Sequence, residues 1–159
     1  MYKNILVPID ISYQTSVWQE PALCVARQLA RDSGARIHAL TVVPSNLLGG
    51  YYPDLHTRDV VREARNKLAS IVRTGAMRGA EVTVGVESGG ICAEILRVAR
   101  ELSADLIVMA SHGPETIDYL LGSNASHIAL HAPCSVYVVR ERRPDGSRGV
   151  MAETLEMSS

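Results

Sequence analysis

The chain has 159 residues, a formal net charge of −1 and 47% apolar residues, which is one domain of ordinary size with enough apolar material for a substantial core. Charge this near balance excludes a general polyanion or nucleic-acid binder, and no run approaches the ~18 apolar residues of a membrane span. With no Phe and a single Trp, the core must be aliphatic, which suits a parallel sheet buried on both faces.

Met1-Tyr2-Lys3-Asn4 leads straight into a strand pattern. That leaves no room for a signal peptide and gives the expectation of a cytoplasmic protein. Residues 5–9, Ile-Leu-Val-Pro-Ile, are a short β-branched apolar run and read as the first strand. Pro8 cannot donate to a ladder, so it belongs near the strand's end, and Asp10-Ile11-Ser12 forms the turn. A helical pattern covers residues 16–32, with Trp18, Ala22, Val25, Ala26, Leu29 and Ala30 on one face. Pro21 is tolerated only in a first turn, so the regular helix should begin near Glu20. Ser33-Gly34 ends it.

Residues 36–43 read as the second strand. Pro44 follows, and residues 45–56 carry two glycines, Pro53 and two tyrosines. They are expected as a surface loop open to partner contact. Thr57 is placed to cap the next helix, whose apolar face is Val60, Val61, Ala64, Leu68, Ile71 and Val72 and which should end near Gly75 or Gly79. Arg58, Arg62 and Arg65 alternate on it with Asp59 and Glu63, an ordinary solvated face. Residues 81–86 are the third strand, and Ser88-Gly89-Gly90 a turn and helix start. Ile91, Ile95, Val98, Ala99 and Leu102 form the third helical stripe. Residues 105–110 are the fourth strand. The last helix runs from Gly122 or Ser123 to about His131, Pro133 stops it, and residues 135–140 are the fifth strand. Residues 141–159 are polar and without periodicity, so a disordered tail is expected after a 1–140 domain. Cys24, Cys92 and Cys134 are odd in number and far apart, as expected of reduced, mostly buried thiols.

Strand and helix alternate throughout, which calls for a single doubly wound parallel sheet of five strands with helices on both faces. Two strand orders fit, 2-1-3-4-5 and 3-2-1-4-5. In both, ligands bind beyond the strand carboxyl ends at the switch point. The second order makes strands one and four neighbours there and sets Asp10 beside the fourth strand's end, and it is the expected one.

That end is the stretch on which function turns. An apolar run closes on Ala110-Ser111-His112-Gly113, a short loop follows, and Gly122-Ser123-Asn124-Ala125 opens a helix. A helix start leaves about four amides without internal partners, and the peptide dipoles favour anions there. Glycine lets a ligand approach the backbone closely. The stretch therefore reads as a phosphate cradle. It equally suits an ordinary helix start with Ser123 as N-cap. It is neither a Walker A loop nor a Gly-x-Gly-x-x-Gly fingerprint. His127 and His131 have a spacing that can bind metal, but no third ligand is visible and exposed histidines are expected. Cys134 has no paired base, so a small packing role is expected. A hydrolase built on Ser123 or Cys134 lacks a base and an orienting group.

Residues 5–12, Ile-Leu-Val-Pro-Ile-Asp-Ile-Ser, resemble the opening of the universal stress protein family. Residues 110–113 and 120–125, followed by His131-Ala132-Pro133-Cys134-Ser135-Val136, resemble that family's nucleotide loop and last strand. The likeness runs in order from about residue 2 to 140. The family's ATP-binding pattern is Gly, two residues, Gly, nine residues, then Gly-Ser or Gly-Thr. Here Ala110 takes the first glycine's place and eight residues separate Gly113 from Gly122, a spacing that looks most like the UspF-type branch. The loop holds His112, Glu115 and Asp118 and no Lys or Arg. Phosphate binding would therefore rest on backbone amides with Ser111, Ser123 and His112, and an acidic loop invites a divalent ion such as Mg2+.

The resemblance implies contacts from Pro8, Ile9 and Asp10, with Asp10 near the ribose or a metal ion. Val42 would pack on adenine, Met109 and Ala110 would floor the adenine and ribose, and Ser111, Gly113, Gly122, Ser123, Asn124 and Ala125 would form the phosphate loop. By residue type alone, Asp10 also suits an Asx turn or helix cap, and Val42 and Met109 also suit plain core. The implied function is binding of ATP or a related adenine nucleotide in a stress response, acting through nucleotide-dependent conformation or partner choice. No catalytic base is evident, so no kinase is expected, and slow hydrolysis stays open. The rival reading is an interaction module that has lost strong nucleotide binding. Val136-Tyr137-Val138-Val139 is apolar throughout and lies at the sheet edge in the expected order. Such an edge invites pairing, and the family commonly forms a homodimer there, through the strand from Ser135 to Arg140. The alternative is that the chain after Glu141 folds back over that edge.

Overall fold

The computed structural model describes residues 1–11, 19–45, 53–74, 76–111 and 122–140, the side chains of 53–57 and 74 excepted. Nine elements alternate: β1 (Asn4–Pro8), α1 (Glu20–Ser33), β2 (Arg36–Pro44), α2 (Pro53–Thr74), β3 (Val82–Gly89), α3 (Ile91–Glu101), β4 (Leu106–Ala110), α4 (Ser123–His131) and β5 (Ser135–Val139). Every strand pair is parallel, and the five-stranded sheet has the order β3-β2-β1-β4-β5.

The apolar runs of β1 and β4 are continuous because both faces of the sheet are covered. Strand alternation sends Ile5, Val7 and Ile9 to one face, where they meet Ala22, Leu23 and Ala26 of α1 and Leu68 and Val72 of α2. Leu6 points the other way, into a cluster with Leu40, Ile107 and Met109, Ile95 and Ala99 of α3, and Ala125 and Ile128 of α4. The central position of β1 puts its carboxyl end in the middle of the sheet's upper edge.

The first helix starts at Glu20, as Pro21 requires, and stops at Gly34. There φ is +73°, and the Gly34 amide donates to Ala30 O at 2.8 Å. Only glycine adopts that backbone without strain. Two boundaries differ from expectation. The second helix begins at Pro53, not after a cap at Thr57; proline suits the first helical position because its missing N–H would have no partner there. The third strand runs on to Gly89, through the pairs Val43↔Ser88 and Pro44↔Gly89. Ser88 and Gly89 are thus a strand end, not a turn, and Gly90 is the N-cap of α3. Trp18, Gly75 and residues 141–159 lie outside the described residues. The cysteines are free, but Cys24 is exposed and Cys92 and Cys134 only half-buried, contrary to the expectation of buried thiols. Cys24 follows Leu23 by about 100° around α1, which turns it off the apolar face.

At the opposite edge, the Asp105 carboxylate accepts the amides of Lys3 at 2.6 Å and Asn4 at 2.8 Å, fixing the start of β4 to the start of β1. Those bonds, Asn4 first and Lys3 second, hold the Asp105 carboxyl below its ordinary range. In the middle of the sheet His38 bonds Thr83 and approaches Asn4 Oδ1 at 3.5 Å. Burial, then the charge of Arg36, lowers its pKa.

Candidate functional site

From β1 the chain crosses over to β2 on one side, while β4 lies on the other. A crevice must open above this divergence. It holds a cavity of about 450 Å³, within the ~300–1,000 Å³ of small-molecule sites.

Each wall comes from a different element. Pro8 ends β1, and Ile9 and Asp10 continue it along the cavity floor. The Ile9 amide donates to Leu40 O at 2.7 Å, which keeps the strand extended past its assigned end. Val42 contributes from β2, and Met109 and Ala110 from β4. Val42 is half-buried, while Met109 is buried and packed in the α3/α4 cluster, so core and lining roles coincide in it. Ser111 follows, its amide donating to Val139 O at 3.0 Å. Gly122, Ser123, Asn124 and Ala125 close the site from the start of α4. The fold thus gathers the sequence-predicted residues at one cavity, except His112 and Gly113, which lie outside the described residues.

The start of α4 is open electrostatically. Gly122, at φ −55° and ψ 150°, is the N-cap; among the described residues no side chain caps the helix, and its first turn carries no acid. Ser123 is therefore not the N-cap. The Ser126 amide reaches Gly122 O at 2.9 Å, so the amides of residues 123–125 precede the helix's internal bonding and point out of its end. The Gly122 amide donates to Ser111 Oγ at 3.2 Å, linking the end of β4 to the start of α4. The Asn124 side chain turns away, with its Oδ1 3.4 Å from Cys92 Sγ. Burial pushes the Cys92 thiol up, which keeps it a protonated donor. The Asn124 Oδ1 is thus engaged as an acceptor away from the helix start, and its backbone amide is at that start. Burial and Asp105 also raise the Cys134 pKa, the wrong direction for a nucleophile.

Three lining residues carry no motif in the sequence. Gln19, only 5% exposed, sits at the start of α1 and donates its side-chain amide to the Asp10 carbonyl. Glu63 and Lys67 reach the cavity from α2, paired with each other at 3.0 Å. Lys67 supplies a cation that the loop after β4 lacks in sequence. The stripe of Val60, Ala64 and Leu68 was the available signal, since residues flanking an apolar stripe on a sheet-packed helix reach the sheet's edge. His127 and His131 are exposed, with rings 4.5 Å apart. No group of three metal-ligating side chains occurs among the described residues, nor is any helix among them long and apolar enough to cross a membrane.

A doubly wound parallel sheet with a cavity at its switch point defines an α/β domain of the Rossmann-like class. The chain belongs to the universal stress protein family, whose model matches residues 1–140. It is similar to universal stress protein G of Escherichia coli O157:H7, with 32% identity over 145 residues, covering 88% of this chain and 100% of that protein. Among solved structures it is similar to a universal stress protein in complex with cAMP (25% identity, TM-score 0.57, covering 89% of this chain and 98% of that one). It is likewise similar to the universal stress protein from Archaeoglobus fulgidus in complex with dAMP (25% identity, TM-score 0.58, covering 86% and 97%).

Proposed function

We propose that the protein binds an adenine nucleotide, ATP by the family pattern, and serves a cytoplasmic stress response through the conformation or partner that the nucleotide selects. The observation that carries this reading is the start of α4: amides at a helix N-terminus with no side-chain cap among the described residues and no acid in the first turn, at a cavity at the switch point. The two relatives in complex with cAMP and dAMP support the adenine nucleotide class. The base would lie between Val42 and Met109, the ribose against Ile9 and Asp10, and the phosphates on the amides of Ser123 to Ala125, with Ser111, His112, Gly113 and Gly122 completing the loop. A bound Mg2+ would neutralise phosphate charge. Asp10 is the fitting protein ligand, because Mg2+ is commonly held by one or two carboxylates together with the phosphates. The activity in this reading is binding, with slow hydrolysis of the nucleotide left open.

The partners in this reading are the nucleotide and a second copy of the chain, with no nucleic acid or membrane. β5 pairs only with β4 among the described residues, and Tyr137 on it is 48% exposed. Two such edges pairing about a two-fold axis would extend the sheet. One observation favours the rival reading of an interaction module: the Gly122 amide already has an acceptor in Ser111. Titration calorimetry with ATP, ADP, AMP and cyclic AMP, on the native chain and on Gly122→Val, separates the two. The nucleotide reading expects saturable binding that Gly122→Val abolishes while the fold survives, because a branched side chain there blocks the approach of phosphate. Binding unaffected by Gly122→Val, or absent from the native chain, refutes it.

A further inference from the structure

The helix α4 is nine residues long, so roughly 12 Å of helix separates the amides at its start from its last residue. The last turns carry His127 and His131, four positions apart and therefore on one side of the helix. Both side chains are exposed. Their rings nonetheless converge: the centroids lie 4.5 Å apart, with the planes tilted by 43°. His131 is also the basic residue of the last turn, where the free helix carbonyls favour a cation. The spacing of the rings has a meaning in coordination chemistry. An imidazole nitrogen binds a divalent first-row ion at about 2.0–2.1 Å, which puts the ring centre about 3.2 Å from the ion on the same line. Two such rings at a right angle on one ion have centres roughly 4.5 Å apart, against roughly 5.2 Å at the tetrahedral angle. The observed separation is the right-angle value. The tilt is compatible with a shared ion, since each ring turns about its own metal–nitrogen bond.

We propose that His127 and His131 chelate one divalent copper or nickel ion on adjacent positions of a tetragonal shell, a metal site at the opposite end of α4 from the nucleotide cavity. Tetragonal nitrogen and oxygen shells are the preference of Cu2+ and Ni2+, imidazole suits both, and a given site binds Cu2+ the more tightly. No group of three metal-ligating side chains occurs among the described residues, so water completes the shell. The Mg2+ of the nucleotide reading takes oxygen ligands and does not compete for the pair. An ion on both rings ties His127 to His131 across the end of α4. Because the unfolded chain does not hold the two rings together, the ion stabilises the fold.

Ni2+ is the probe, because Cu2+ oxidises thiols and the chain carries three free cysteines. Nickel chloride is titrated calorimetrically into the full chain, His127→Gln and His131→Gln. It is also titrated into the isotope-labelled native chain, in which the paramagnetic ion broadens the amides nearest to it. The native chain should take up one ion saturably, with broadening centred on residues 127–131. Each substitution should weaken binding roughly tenfold or more, since losing a ligand costs at least as much as losing a group that orients one. The metal-free variants should melt like the native chain, because both side chains are exposed. The broadening map needs no variant, so it decides the question even where a substitution disturbs α4. No saturable uptake of Ni2+, broadening centred elsewhere, or affinity that either substitution leaves unchanged overturns the inference. Tighter binding of Zn2+ than of Ni2+ by the same two histidines overturns the tetragonal assignment and the inference with it.

Discussion

Substituting Ser123→Asp should move stability and ligand affinity in opposite directions. Ser123 is the exposed first residue of α4, whose start has no side-chain cap among the described residues and no acid in its first turn. A carboxylate there complements the helix dipole and should stabilise the protein by about 0.3–1 kcal/mol. For a domain of this size that raises Tm by roughly 1–4 °C. The same charge repels a phosphate seated on the amides of residues 123–125. At ~4 Å and an effective dielectric near 20, one charge pair is worth about 4 kcal/mol. Exposure discounts this heavily, yet a third of it is already about a tenfold loss in affinity. Thermal melts with and without ATP, followed by calorimetry at two salt concentrations, measure both effects. The affinity loss should shrink as salt rises. A variant that is stabilised but binds ATP as before would show that phosphate does not sit at α4. A destabilised variant would show that the helix start is already satisfied.

The remaining predictions concern assembly, titration and the core. If β5 is a dimer interface, the double substitution Val136→Pro and Val138→Lys should give monomers by sedimentation; a native monomer, or a double mutant still dimeric, contradicts it. His38 and Asp105 both have lowered pKa values in the fold, so each binds protons more readily when unfolded. Their stabilising contributions are complete above their unfolded values and are lost as pH falls through the folded ones. The urea midpoint should hold steady above about pH 7, decline below the ordinary histidine value near 6.5 and decline again in the carboxylate range. Asp105→Asn should remove the lower step, and stability that rises on acidification would refute the assignment. Leu68, fully buried between α2 and the sheet, should cost about 2–5 kcal/mol when cut to alanine, as read from a denaturation midpoint.

What could be read from the sequence was what local chemistry controls. The β1 and β4 runs, the start of α1 behind Pro21 and the Gly-Ser opening of α4 all follow from residue type and spacing. Two strand orders fitted the alternation, and the choice rested on Asp10 sharing a site with the Gly122 loop and on the family resemblance. Pro53 was harder to place, because proline signals both a loop and the first position of a helix, and Gly49, Gly50, Tyr51 and Tyr52 ahead of it favoured the loop. Gln19 was illegible for a different reason: its side chain bonds the Asp10 carbonyl nine positions back in the chain, and no local pattern encodes that meeting. Glu63 read as part of a solvated face, and in the fold it pairs with Lys67 at i,i+4; that α2 also borders the crevice is a matter of helix docking. Asn124 matched the phosphate loop by position, but the neighbouring α3 decides where its side chain turns.

The central claim is that an anionic ligand is held by the amides at the start of α4. Amide chemical shifts followed during an ATP titration of the isotope-labelled chain test it most directly. The account predicts saturable shifts that are largest at Ser123, Asn124 and Ala125, with smaller ones at Asp10, Ser111 and Gly122. Saturable ATP binding that leaves the amides of 123–125 unmoved, or no binding at millimolar ATP, would contradict it.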